Sequence, residues 1–259
     1  MREPATAGAR QPDVLELRGV RLAYGDREVL HGIDARIAAG ERVALLGPNG
    51  AGKSSLLRCI TGLGGRRGGQ VLLDGVPADE IGRSTLARQL AVVPGQTVVA
   101  FPIRVEEVVA LGRIPHEHPL LGPRPGDHAA IAAAIERVGI GHLVGRDVRE
   151  LSLGERQLVV LAMSIAQQPR LLLLDEPTVH LDLRHQVAVM ELLRDLAERD
   201  GVTVLAVLHD LALARHFFPR LLLLDDGRLL ADGPPDDVLS AARVRSVYGV
   251  DPYFAGAAG

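Results

Sequence analysis

The sequence predicts an α/β domain, a core of buried parallel strands interrupted by a mainly helical segment. Three observations carry this. The runs LLLLDEP (171–177), VTVLAVLHD (202–210) and RLLLLDDG (220–227) are near-continuous in Leu and Val, the pattern of strands covered on both faces. They alternate with helical spacing, as in HQVAVMELLRDLAERD (185–200), which implies β-α-β connections. Nearer the N-terminus, RVALLG (42–47) runs straight into a glycine-rich loop and then into SSLLRCITGL (54–63), giving the order strand, loop, helix.

Taken in order, residues 1–12 read as a loose tail, and so does AGAAG at the C-terminus. VLELRGV (14–20), VLHGIDARI (29–37) and RVALLG are short strands separated by the turn signals YGD and AAGE. QVLLDG (70–75) is a further strand, TLARQL (85–90) a short helix, and LAVVPGQ (90–96) a strand ending in a turn. From Val105 to about Gln167 the character changes. EEVVALGR, HAAIAAAIERVG and ERQLVVLAMSIAQQ suit helices, with the Pro- and Gly-rich connector HEHPLLGPRPGD between the first two. The expected layout is a single domain from 13 to 259. Its core comprises 13–96 and 168–250, and its helical subdomain 97–167.

Composition narrows the function classes. At 259 residues the chain can bury a sizeable core, and 47% hydrophobic with 24% charged residues is ordinary for a soluble protein. A net charge of -3 shows none of the basic excess that nucleic-acid binding usually requires. The lone cysteine, Cys59, cannot form an internal disulfide, so a reducing compartment is expected. No signal-peptide pattern opens the chain, and no segment approaches the roughly 18–20 apolar residues of a membrane span. The expectation is a cytosolic protein, unless a partner holds it at a membrane.

The segment Gly47-Pro48-Asn49-Gly50-Ala51-Gly52-Lys53-Ser54 matches the G-x-x-x-x-G-K-[ST] phosphate loop in full. Its glycines let successive backbone N–H groups turn around phosphate oxygens, and the helix beginning near Ser54 and Ser55 points its positive end at them. The Ser54 hydroxyl suits Mg²⁺. Of 29 basic residues only Lys53 is a lysine. A compact ammonium on a thin stem can thread beneath the loop, whereas the wide planar guanidinium of arginine cannot. A phosphate loop alone leaves kinases, GTPases, helicases and transport ATPases open. The strand ending in Asp175 and Glu176 adds a carboxylate to hold the Mg²⁺ shell and a second to polarise a water.

Leu151-Ser152-Leu153-Gly154-Glu155-Arg156-Gln157 resembles the LSGGQ signature of the ATP-binding cassette (ABC) ATPases. The resemblance then covers nearly the whole chain. Tyr24 sits where that family stacks a ring on adenine, Gln96 matches its Q-loop, Val179-His180-Leu181-Asp182 its D-loop, and His209 its switch histidine. It implies a P-loop NTPase (RecA-like) core with an antiparallel β subdomain and an inserted helical subdomain. It also implies head-to-tail dimers in which each ATP lies between one chain's phosphate loop and the other's Ser152 and Gly154. Glu176 would be the general base, His209 would hold the γ-phosphate and water, and Gln96 would sense Mg²⁺ and the membrane partner. Two departures stand out. Leu153 replaces a usual glycine, adding bulk and removing freedom at positive φ, and Glu155 replaces a commoner Gln but could cap the first helical turn.

One cassette without a membrane segment suggests separate permease subunits. Phe101-Pro102 with the following VEEVVALGRIPHEHPLL, and Leu183-Arg184-His185-Gln186 after Asp182, resemble the ATPases of importers for iron–siderophore complexes, haem and cobalamin. That implies a homodimer with ATP and Mg²⁺ beneath two integral membrane permeases, an extracytoplasmic substrate-binding protein, a place on the cytoplasmic face of the membrane, and no nucleic acid. The region from Gln96 to about His118 is the expected permease contact. His116-Glu117-His118, with no further ligand nearby, is a poor metal site and reads as solvated loop. The competing readings are a soluble ABC ATPase, such as one serving iron–sulfur assembly, an importer of another solute, and a small-molecule kinase, which would not explain LSLGE.

Overall fold

The computed structural model describes residues 12–63, 66–95, 101–117, 122 and 124–251. Gln96, His118, most of the N-terminal tail and the C-terminal AGAAG lie outside the described residues. Among the described residues the strands are β1 Asp13–Tyr24, β2 Arg27–Ala38, β3 Arg42–Leu46, β4 Arg66–Leu73, β5 Val76–Pro77, β6 Leu90–Val93, β7 Leu171–Asp175, β8 Thr203–Val207, β9 Arg220–Asp225 and β10 Arg228–Gly233. The helices are α1 Lys53–Ile60, α2 Arg83–Gln89, α3 Val105–Leu111, α4 Asp127–Val138, α5 Leu153–Ala166, α6 Leu183–Asp200, α7 Leu211–Phe217, α8 Pro235–Val238 and α9 Ala241–Tyr248.

Two sheets form. The first is antiparallel in the order β2-β1-β4-β5, with β1 pairing on both edges. The second runs β10-β9-β3-β8-β7-β6, parallel except for β10, which turns back antiparallel to β9. The Leu/Val runs sit in this second sheet and split by parity, because successive side chains point to opposite faces. Ala44, Leu172, Leu174, Ala206 and Leu223 enter one apolar cluster with α5, α6 and α7. Val43, Leu45, Leu173, Leu205 and Leu222 enter the other, with α1 and the inward residues of β1 and β2. The antiparallel sheet therefore caps one face of the core, and the helices α3, α4 and α5 pack with the other. Among the described residues no helix is long and apolar enough to cross a membrane.

Within GRIPH, Gly112 and Arg113 turn inward and His116 is tied to a neighbouring carbonyl, while Ile114 stays exposed. A Cβ on Gly112 would lie 2.1 Å from the Met163 carbonyl oxygen, so α3 crosses α5 at a distance only glycine allows. Arg113, 7% exposed, donates to Asp127 Oδ1 at 2.8 Å, to the Ala166 carbonyl at 2.6 Å and to Gln168 Oε1 at 3.0 Å. His116 Nε2 lies 2.8 Å from the Gln167 carbonyl, and Gln167 donates from its amide to the Leu90 carbonyl at 2.7 Å. Thus GRIPH ties the helical segment to itself and, through Gln167, to the edge of the core sheet. LDLRHQ likewise folds on itself. Asp182 caps α6 by accepting from the His185 N–H, and Gln186 donates back to the Leu181 carbonyl at 3.1 Å.

Candidate active site

The phosphate loop emerges from the C-terminal end of β3 and closes into α1. Gly47, Gly50 and Gly52 take φ values of 150°, 83° and 104°, a left-handed path that side chains resist. Space restricts the loop as well. A Cβ on Gly47 would lie 2.0 Å from the Leu224 carbonyl oxygen, and one on Gly52 would lie 2.8 Å from Leu30 Cδ2. Within the loop the Ala51 N–H donates to the Pro48 carbonyl at 3.2 Å. Lys53 is 6% exposed, and its ammonium donates to the Gly47 and Pro48 carbonyls at 2.7 and 2.9 Å. The stem is thus threaded beneath the loop. Burial pulls this ammonium below the usual lysine range, while the Glu176 and Asp175 carboxylates push it back up.

A cleft of about 320 Å³ opens over the loop, lined by Tyr24, Arg27, Val29, Asn49, Gly50, Gly52, Lys53, Ser54, Ser55 and Glu176. Tyr24 stands at its rim, 43% exposed, at the end of β1. Arg27 and Val29 were not anticipated from the sequence. They follow the Gly25-Asp26 turn and enter the cleft only because β1 and β2 pair there.

Two carboxylates end β7. Asp175 is pushed up by burial, an effect opposed by a hydrogen bond to Ser54, and its Oδ1 is buried with no partner among the described residues. A buried carboxylate oxygen left over beside a serine hydroxyl fits a hard divalent cation that takes its remaining ligands from water and phosphate. Among the described residues no group of three His, Cys, Asp or Glu could hold a metal by itself, and His116 is engaged with Gln167. Glu176 adopts φ 55°, which a non-glycine residue rarely does and which concentrates at functional turns. Its N–H donates to the Val207 carbonyl at 3.1 Å, and His209 Nε2 lies 2.5 Å from Glu176 Oε1. The register of β7 on β8 brings these two residues together from 33 positions apart.

The signature residues lie elsewhere. Ser152, Gly154 and Asp182 line a second cleft of about 330 Å³ with His142, His180 and His185, and it shares no lining residue with the first. Ser152 caps α5 in a reciprocal box: its Oγ accepts from the Glu155 N–H at 3.2 Å, while Glu155 Oε2 accepts from the Ser152 N–H at 2.7 Å. Hydrogen bonds from Ser152 hold the Glu155 carboxyl below its usual range. The glutamate therefore completes the cap, as its sequence position allows. Leu153 occupies the first helical position without positive φ, so the glycine it replaces is not needed for backbone freedom here, and its side chain is 55% exposed. Gly154 is required by a contact within the same chain, since a Cβ there would lie 2.8 Å from the His180 carbonyl.

Known proteins resemble this chain over most of its length. The family model described as ABC transporter matches residues 30–179. A hemin import ATP-binding protein of Streptomyces coelicolor is 45% identical over 89% of this chain and 81% of its own length. A ferric enterobactin transport ATP-binding protein of Escherichia coli is 37% identical over 92% and 88%. Among solved structures, a metal-chelate type ABC transporter in an inward-facing conformation matches with a TM-score of 0.80 at 26% identity, over 92% of this chain and 90% of that one. With a phosphate loop, a strand-end carboxylate pair and a capped signature helix already in place, this chain belongs to the ABC transporter family, among the ATP-hydrolysing subunits of its importers.

Proposed function

We propose that this ABC ATPase powers uptake of haem or a related metal chelate, an iron–siderophore complex or cobalamin, in a prokaryotic cell. Family members of this kind dimerise and act with membrane permeases as peripheral proteins. The arrangement proposed for this chain is a homodimer on the cytoplasmic face beneath two permease subunits, with a substrate-binding protein outside and no nucleic acid. The cargo reading rests on likeness to hemin and ferric enterobactin proteins and on the GRIPH and LDLRHQ segments.

The observation that carries the mechanism is the Glu176–His209 pair at the edge of the phosphate-loop cleft. Loop N–H groups bind the ATP phosphates, and Lys53 exchanges a loop carbonyl for a phosphate oxygen. Ser54 and Asp175 would hold Mg²⁺, which would neutralise phosphate charge. Glu176 takes a proton from the attacking water, whose oxygen bonds to the γ-phosphorus as the bond to the ADP oxygen breaks. His209 steadies Glu176 and the water. Because Ser152 and Gly154 line a different cleft, the second wall of each ATP site comes from the partner's signature helix, with Asp182 at the junction. Closure on ATP then draws the helical segments together, and hydrolysis releases them.

Glu176→Gln should keep ATP binding, lower turnover by at least about 100-fold, and accumulate an ATP-bound dimer in size-exclusion chromatography. Used as bait in detergent-solubilised membranes, it should recover a polytopic permease. Wild-type turnover in the variant removes Glu176 from the base role, and recovery of soluble partners alone points to a cassette uncoupled from transport.

A further inference from the structure

We infer that the C-terminal segment from Leu224 to Tyr248 is a positioning brace for the phosphate loop, with Gly227 and Tyr248 as its positioning residues. The inference rests on reading the cleft over Lys53 as the ATP site. Two contacts carry it, one at Gly47 and one at Ala51, and Tyr248 adds a third group beside Gly47. The Leu224 carbonyl lies directly beneath Gly47, so close that a Cβ would sit 2.0 Å from it. At the β9–β10 hairpin the Gly227 N–H donates to the Ala51 carbonyl at 3.0 Å, while the Gly227 carbonyl accepts from the His31 N–H at 2.9 Å. One residue thereby joins the phosphate loop to β2. Finally, Tyr248, in the last helical turn of α9, packs against the core, and burial pushes its hydroxyl up to about 12 against the pull of the Gly47 backbone N–H.

These contacts act on backbone, not on nucleotide. A phosphate loop binds through the direction of its N–H groups, so whatever fixes the carbonyl of one peptide also aims the N–H of the next. Gly227 takes φ 68°, and a Cβ there would lie 2.2 Å from the Val29 carbonyl, so the hairpin can approach β2 this closely only with glycine. Val29 itself lines the ATP cleft, which puts the brace one residue behind the nucleotide. A loosened brace should weaken ground state and transition state alike, raising KM with little change in kcat.

The test compares Tyr248→Phe, Gly227→Ala and Lys53→Ala with the wild type, using a fluorescent ATP analogue, steady-state hydrolysis and thermal melting. Tyr248→Phe keeps the packed ring and loses only the hydroxyl. It should melt with the wild type, bind nucleotide about five-fold more weakly, and raise KM by the same factor with kcat within about two-fold. Gly227→Ala, if folded, should lose more affinity. Tyr248→Phe binding within two-fold of wild type, while Lys53→Ala loses binding, overturns the brace and leaves the ATP site standing. Wild-type binding by Lys53→Ala instead overturns the reading of the cleft. A fall in kcat at constant KM for Tyr248→Phe also overturns the brace.

Discussion

Lys53 is held by two loop carbonyls in a space that admits a narrow stem. Lys53→Arg should therefore weaken ATP binding by at least about ten-fold, although charge is conserved, because a planar guanidinium cannot occupy the tunnel without parting the loop. Titration with a fluorescent nucleotide checks this, and unchanged affinity would remove steric fit as the reason for this chain's single lysine. Phosphate-loop residues could be read from the sequence because the chemistry depends on a local run of backbone. Glu176 and His209 could be named but not joined, since their 2.5 Å approach depends on strand register. Gly154 is a different case. Its sequence position suggested phosphate contact, whereas the space around it is set by the His180 carbonyl of the same chain.

At the level of elements, the crossing of α3 over α5 depends on Gly112. Gly112→Ala should cost about 1–3 kcal/mol in urea unfolding, as overpacking against backbone usually does. No loss would mean that α3 can move away freely. The same helical segment is closed by the buried pair Arg113–Asp127. The Arg124 N–H and then the Arg113 guanidinium hold the Asp127 carboxyl below its usual range. With the folded value below the unfolded one, the stabilisation is present above the ordinary carboxylate range and is lost as pH falls through the lowered folded value. Asp127→Asn should remove that part of the acid-side slope of melting temperature against pH, and identical slopes would show that Asp127 contributes none of it. Helices and buried strands were visible in apolar spacing. The edge strand β10 was not anticipated, although Asp226-Gly227, with φ 41° and 68°, is a two-residue hairpin signal that pointed to it.

On the scale of the whole molecule, each chain presents a phosphate loop in one cleft and a signature helix in another. Lys53→Ala and Ser152→Ala should each be inactive alone. Mixed after dissociation, they form heterodimers in which one composite site carries both substitutions and the other carries neither. The mixture should recover about a quarter of wild-type hydrolysis, since half the dimers hold one intact site of two. Activity no higher than that of the parents would argue against sites shared head to tail.

The sequence by itself determined the α/β class, the phosphate loop with its threaded lysine, the carboxylates ending β7 and the signature cap, because each is written in consecutive residues or in a fixed period. Only the tertiary structure decided the rest. It split the Leu/Val runs between two cores, turned Arg113 and His116 inward, brought His209 onto Glu176, and set Gly227 and Tyr248 against the phosphate loop. These pairings join residues from distant parts of the chain, and their geometry follows from sheet order and register, which local composition does not encode.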